Sequence, residues 1–395
     1  MVQIAIMGLG TVGTGVARVV EENAEQIAHK LGEPLRVKTV LVRHFHDGPY
    51  RHLMTDDFRK IEEDEEIRVV VETIGGVGAA YTYTKRALEA GKHVVTANKQ
   101  LVAEKGCELL AVARAHHVHY LFEASVGGGI PILHPLTECM AANRIDEVYG
   151  ILNGTTNYIL TRMVRTGASF ADALREAQEK GYAEANPTDD VEGIDAGRKI
   201  CILADLAFGH QVDPGRVPME GISRICLQDV EIARQAGYRI KLLGRAVRVP
   251  DGGCSAYVAP HLIPAEWPLA SVGDVFNAVV VKGNATGEVM FYGKGAGRMP
   301  TASACVADVM EALQAGPGRD VSWEPSGKFT DPLELRSRYY FRVESGSRHD
   351  AGFGTVESLW EKEGQAAFLT DRISGQQAEE LSRAVQAYAC LRVMD

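Results

Sequence analysis

The sequence predicts an α/β chain in three parts: a doubly wound parallel-sheet domain, a second domain of α+β texture, and a small α+β unit at the C-terminal end. Three observations carry this. From Val2 to about Ser125, short β-branched runs alternate with helical stretches, the pattern of a parallel sheet covered on both faces. After the glycine cluster at Gly127, Gly128 and Gly129 that alternation gives way to one strand, three helices and a run of strands. A Gly/Pro/Ser-rich stretch from Gly316 to Gly327 then marks a boundary.

In the first part, strands are expected at Gln3–Met7, Arg36–Val42, Ile67–Glu72, His93–Thr96 and Val118–Phe122. Helices fall between them at Val12–Leu31, Ala79–Ala90 and Leu101–His116, each ending near Gly or polar residues that stop a helix. The acidic run Glu62–Glu66 reads as a solvated turn. The second part begins with a strand at Glu147–Leu152 and helices at Thr155–Arg165, Phe170–Lys180 and Asp190–Phe208. Strands follow at Lys241–Val249, Ser255–Leu262, Val275–Lys282 and Glu288–Tyr292, then a helix over Thr301–Ala315 entered through Pro300. The tail reads as β, α, β, α, β, with strands near Arg338–Val343, Ala366–Leu369 and Ala389–Val393.

Hydrophobic residues make up 46% and charged residues 24% of the 395, the proportions of a globular chain with a real core. Against 42 Lys and Arg stand 52 Asp and Glu, and a net charge of −10 argues against a nucleic-acid partner. No apolar run approaches the roughly 18–20 residues that cross a bilayer, since Ile200–Phe208 is interrupted by Asp205. The opening MVQIAIMGLG lacks a basic leader and reads as a first strand, so a cytoplasmic location is expected. The seven cysteines (107, 139, 201, 226, 254, 305 and 390) are widely spaced with no CxxC pair, as in a reducing compartment. The histidines at 116, 117 and 119 span a helix end and a strand, and no metal is assigned to them.

Gly8-Leu9-Gly10-Thr11-Val12-Gly13 follows the first strand and opens the first helix, the context in which GxGxxG means dinucleotide binding. Gly8 permits the tight turn, Gly10 lets backbone approach the pyrophosphate, and Gly13 packs helix on strand. Free N–H groups at the helix start then meet the anion. This makes the first part a Rossmann domain. Its second strand is followed by Arg43, His44, Phe45 and His46 instead of the acid that holds ribose hydroxyls, so NADP is the expected cofactor, with NAD use open.

In the segment Ala177–Lys199, AQEKGYAEANPTDDVEGIDAGRK, Asp195 and Lys199 lie one helical turn apart. The apolar continuation from Ile200 to Ala207 implies a helix buried on most sides, where charges are costly and tend to be paired or functional. Asn186-Pro187 breaks the preceding helix, and Asp189 or Asp190 caps the next. Oxidising an alcohol carbon by hydride transfer requires a proton-transfer group at its oxygen. Lys199 is the first candidate for it and Lys99, in Thr96-Ala97-Asn98-Lys99, the second.

Over roughly residues 1–318 the chain resembles homoserine dehydrogenase, the NAD(P)-dependent enzyme linking L-homoserine and L-aspartate 4-semialdehyde. Ala177, Gly181, Tyr182, Ala183, Asn186, Pro187, Asp190, Gly193, Asp195 and Lys199 fit that family's pattern in register. The resemblance implies that Lys199 gives and takes the proton, while Glu184, Asp190 and Asp195 bind or orient the amino-acid substrate and Lys99 lies near both it and the nicotinamide. Cofactor contacts are expected from Gly8, Gly10, Thr11, Val12, Gly13, Arg43, Thr73 and Lys99, and from Gly295 in the Gly-rich turn Gly293–Thr301. Glu123-Ala124-Ser125-Val126-Gly127-Gly128-Gly129-Ile130-Pro131 looks like the family's cation loop, with carbonyls of Glu123, Val126, Gly128 and Ile130 around sodium or potassium. Asn153-Gly154-Thr155-Thr156-Asn157 is another family-like segment.

The resulting expectation is a Rossmann domain over 1–130 with 300–318 returning to it, a substrate and dimerisation domain over 131–299, a linker over 319–335, and a degenerate ACT-like module over 336–395. Tyr339–Val343 and Phe368–Met394 look like that module's start and end, but Glu344–Glu363 lacks its usual acid/Arg-Pro-Gly turn. Assembly into a homodimer or homotetramer and threonine feedback are what the resemblance implies for it. A phosphorylating semialdehyde dehydrogenase would need a nucleophilic cysteine, and none lies beside a histidine in sequence. A silent dinucleotide sensor would have no use for a proton relay.

Overall fold

The computed structural model describes residues 1–250, 252–314, 323–347 and 352–395. Strands β1 (Val2–Met7), β2 (Leu35–Leu41), β3 (Met54–Thr55), β4 (Ile67–Glu72), β5 (His93–Thr96) and β6 (Tyr120–Leu121) form a parallel sheet in the order β3-β2-β1-β4-β5-β6. That is the dinucleotide-binding order, with its crevice beyond the carboxyl ends of β1 and β4. The runs VQIAIM and IRVVVE are almost continuously buried because helices cover both faces of the sheet.

The covering helices are α1 (Thr11–Glu22), α2 (Ala24–Leu31), α3 (Arg59–Glu62), α4 (Gly78–Glu89) and α5 (Lys99–Ala115). The single helix expected over Val12–Leu31 is two, because Asn23 leaves helical geometry at φ −110°, ψ 21°. An asparagine side chain competes with the helix for backbone hydrogen bonds, which makes it a natural breaking point.

The second part contributes β7 (Ile145–Ile151), α6 (Gly154–Thr166), α7 (Phe170–Glu179), α8 (Thr188–Val191), α9 (Ile194–Phe208) and α10 (Leu227–Gln235). Strands β8 (Tyr238–Arg248), β9 (Cys254–Pro264), β10 (Phe276–Gly283) and β11 (Gly287–Lys294) follow. The helix expected over Asp190–Phe208 is broken at Gly193, whose φ of +82° is left-handed. Asp190 therefore sits on α8 and Asp195 in the first turn of α9. Helix α11 (Arg298–Gln314) returns to the first sheet, with Ala302, Cys305, Val306 and Val309 in one core with Ile4, Ile6, Val16 and Ala17. A Cβ on Gly15 would lie 2.8 Å from the Arg298 carbonyl, so only glycine admits this approach of α11 to α1.

The tail holds β12 (Arg336–Ser337), β13 (Tyr339–Glu344), β14 (Val356–Lys362), β15 (Gln365–Thr370), β16 (Ile373–Ser374), α12 (Gly375–Ala384) and β17 (Ala389–Val393). Its strands run β17-β13-β15-β14 and continue the sheet of the second part into one of nine strands, β11-β10-β7-β8-β9-β17-β13-β15-β14. The seam is the parallel pair β17/β9, with Arg392 opposite His261 and Val393 opposite Leu262. Across it Arg342 bonds Asp229 of α10 through Nε at 2.7 Å and Nη2 at 3.3 Å, and Tyr340 adds a 3.0 Å bond to the same carboxylate.

Helix α10 and strand β14 lie outside the elements that the sequence pattern predicts. The strand β14, VESLWEK, lies at the sheet edge with its charged residues exposed, so it carries little of the apolar alternation that marks a half-buried strand. Ala315 and most of Gly316–Gly327 lie outside the described residues, and where a helix is expected between the first two strands of the tail the described residues hold the strand β14 instead. Among the described residues no helix is long and apolar enough to cross a membrane.

Candidate active site

At the end of β1 the chain turns through Gly8 at φ +95°, and a Cβ there would meet the Thr73 carbonyl at 2.9 Å. The Thr73 hydroxyl bonds the carbonyls of Gly8 (2.8 Å) and Met7 (3.1 Å), so this side chain braces the turn. A Cβ on Gly13 would lie 2.0 Å from the Gly8 carbonyl, whereas one on Gly10 would meet nothing within 4 Å. The close contact is helix on strand; the open space is where a pyrophosphate fits. Gly10 is the N-cap of α1, and the first N–H groups of a helix, here those of Thr11, Val12 and Gly13, have no intrahelical acceptor. These residues fit a dinucleotide.

The buried Glu72, at the end of β4, ties this crevice to the next turn. Its carboxylate accepts from the Ile74 N–H (2.7 Å), the Gly75 N–H (3.3 Å) and the Thr96 hydroxyl (2.6 Å). Thr96 Oγ1 accepts from the Asn98 N–H at 2.9 Å, and Asn98 caps α5 by accepting from the Leu101 N–H at 3.1 Å. Lys99, the first residue of α5, is aimed by this network across the cleft, where its Nζ is 2.9 Å from Asp195 Oδ1.

On the opposite wall Lys199 Nζ bonds Asp195 Oδ2 at 2.6 Å and the Leu152 carbonyl at 2.8 Å. Both side chains are nearly buried, 10% and 9% exposed, so their charges interact with little screening. Burial works against ionising Asp195, but Lys199 and Lys99 outweigh it and hold the carboxyl below the usual carboxylate range. Burial lowers the Lys199 pKa; Asp195 opposes this and the charge of Lys99 adds to it. Asn153 Nδ2 lies between the two acids, donating to Asp190 Oδ1 (2.7 Å) and Asp195 Oδ2 (2.9 Å).

Thr11, Val12, Lys99, Gly128, Glu184, Asp190, Asp195, Lys199 and Gly295 share one cleft of about 1040 Å³. Arg43 is exposed just past the end of β2 and does not line it. Glu184 is exposed in the cleft. Behind the wall, the Glu123 carboxylate accepts from the N–H groups of Ile132 (2.6 Å), Leu133 (2.9 Å) and His134 (2.7 Å), and its backbone carbonyl accepts from the Val126 N–H at 3.4 Å. The buried carbonyls of Val126, Gly128 and Ile130 accept no hydrogen bond among the described residues, as oxygen ligands of a hard cation would require. The Gly129 N–H bonds the Lys294 carbonyl at 3.0 Å, joining this loop to the turn that carries Gly295.

Asn153 and Glu72 were not singled out from the sequence. Asn153 meets acids 37 and 42 positions away and Glu72 meets Thr96 24 positions away, and the available signal was only the family-like segment at 153–157 and an acid ending a buried strand.

Comparison with known proteins places this geometry. A family model for the NAD-binding domain of homoserine dehydrogenase matches residues 8–123, and a homoserine dehydrogenase model matches residues 131–310. Homoserine dehydrogenase of Neisseria gonorrhoeae is 43% identical over 358 residues, covering 87% of this chain and 82% of that protein. The Bacillus subtilis enzyme is 44% identical over 319 residues, 79% of this chain and 73% of that one. A crystal structure of a homoserine dehydrogenase from Thiobacillus denitrificans superposes with a TM-score of 0.90 at 38% identity, covering 100% of this chain and 98% of that one. A hyperthermophilic archaeal homoserine dehydrogenase in complex with NADPH gives 0.67 at 28% identity over 80% and 99% of the two chains.

The fold and the matches together define an NAD(P)-dependent oxidoreductase acting on a CH–OH group. More narrowly, the chain belongs to the homoserine dehydrogenase family.

Proposed function

We propose that this chain interconverts L-homoserine and L-aspartate 4-semialdehyde, with Lys199 moving the proton of the reacting oxygen. The observation that carries this reading is the nearly buried Lys199 amine, held by Asp195 and the Leu152 carbonyl in the cleft that also receives the glycine turn. The nicotinamide, when bound, exchanges a hydride with the alcohol carbon. Lys199, neutral, accepts the hydroxyl proton during oxidation and, as the ammonium, returns it during reduction. Asp195 orients that amine, and the charge of Lys99 on the same carboxylate favours its neutral form. Glu184 and Asp190 supply carboxylates for the substrate ammonium and hydroxyl. A phosphorylating semialdehyde dehydrogenase is disfavoured by the family assignment.

Arg43 suits a 2′-phosphate, so NADP is preferred and NAD accepted. The carbonyls of Glu123, Val126, Gly128 and Ile130 suit sodium or potassium. The tail's strand order is compatible with a degenerate ACT-like module that contributes to assembly into a homodimer or homotetramer. The seven free thiols suit a cytoplasmic protein.

The test is the initial rate of NADP and of NAD reduction by L-homoserine. Turnover supports the reading, whereas dinucleotide binding without turnover in either direction replaces it with a sensor. In the same assay Arg43→Ala is expected to weaken NADP by roughly tenfold relative to NAD, the size of a lost charge-assisted bond. An unchanged preference removes the 2′-phosphate assignment.

A further inference from the structure

Asn153 is only 5% exposed and lies two residues past β7 as the N-cap of α6. Its Oδ1 accepts from the Thr156 N–H at 2.9 Å and the Thr156 hydroxyl at 3.0 Å. Those donors fix the amide orientation, so the two Nδ2 hydrogens must face the acids: Asp190 Oδ1 at 2.7 Å and Asp195 Oδ2 at 2.9 Å. The charged groups around it are Asp190 from α8, Asp195 and Lys199 from α9, and Lys99 from α5.

Two carboxylates this close oppose each other's ionisation. Burial pushes Asp190 up; Asn153 pulls it down, and the charge of Asp195 adds to the upward push. Asp195 Oδ2 is also the oxygen that holds Lys199, so the rotamer Asn153 selects at Asp195 is the one that aims the amine.

We infer that Asn153 is a positioning residue of the proton relay, its amide bridging Asp190 and Asp195 so that both stay ionised and Lys199 stays aimed at the reacting oxygen. This rests on the role proposed for Lys199. Asn153 lines the same cleft, and in this reading it acts through the two acids.

The cap and the bridge are separable. Asn153→Ser keeps a good helix cap but removes the donor. Asn153→Asp keeps the cap and the shape but sets a third carboxylate against the other two. Both variants are expected to fold and to bind NADP as the wild type does. For Asn153→Ser, kcat for homoserine oxidation should fall by roughly tenfold to a hundredfold, as for a lost hydrogen bond to a charged group. The KM for homoserine should rise as pH is lowered and Asp190 takes up a proton. For Asn153→Asp, the pH limb of kcat should move upward by about one unit, because added negative charge favours the protonated lysine.

Wild-type kcat and pH profile in Asn153→Ser overturn the inference while leaving the Lys199 role intact. Loss of activity in step with thermal stability and NADP affinity, with no displaced pH limb in Asn153→Asp, also overturns it in favour of a capping role. A wild type that binds NADP but never turns over homoserine defeats the relay, and the role of Asn153 with it.

Discussion

Lys199→Ala is expected to lower kcat in both directions by roughly 10²–10⁴-fold, the span that general acid–base catalysis contributes. NADP affinity should stay close to wild type. The separation follows from the layout: the dinucleotide cradle is built on β1, α1 and Thr73, whereas Lys199 stands on α9 with its amine on Asp195 and the Leu152 carbonyl. Removing the amine leaves Asp195 paired with Lys99, so no buried carboxylate is stranded. Fluorescence titration with NADPH alongside steady-state rates checks both halves. Equal losses in affinity and turnover would assign Lys199 a folding role.

The largest stability effect is expected at Asp229. Its carboxylate is 1% exposed and faces an Arg342 side chain that is 8% exposed, in a paired geometry completed by Tyr340. Breaking a buried pair by removing one partner typically costs about 3–5 kcal/mol, because the other charge is left without compensation. Asp229→Ala should therefore lower stability by that order, whereas Asp229→Leu with Arg342→Met should cost far less. Urea unfolding of the variants measures the difference. Equal losses in the single and double variants would show that packing at the seam, not the unpaired arginine, sets the cost.

Much of this architecture could be read locally. GxGxxG sits between a strand and a helix whose ends are set by neighbouring residues, and the β-branched runs are buried on both faces as their composition requires. The Asp195–Lys199 pair is likewise one helical turn on one apolar helix. What escaped the sequence is long-range or depends on backbone hand. Asn153 bridges acids 37 and 42 positions away, Arg342 meets Asp229 across 113, and Lys99 reaches Asp195 from the other domain. The helix expected over Asp190–Phe208 runs through Gly193, whose left-handed φ splits it and turns Asp190 and Asp195 toward a common donor. The exposed edge strand Val356–Lys362 escaped because an edge needs little apolar patterning.

The pH dependence of kcat for L-homoserine oxidation is the most direct test of the central claim, that the buried Lys199 amine accepts the proton. Burial lowers the Lys199 pKa from the ordinary 10.5, and oxidation needs the neutral amine, so the rate should rise with pH through an inflection below 10.5. The same inflection should be missing from the residual activity of Lys199→Ala. An inflection that survives unchanged in the variant would contradict the account and place the proton acceptor elsewhere.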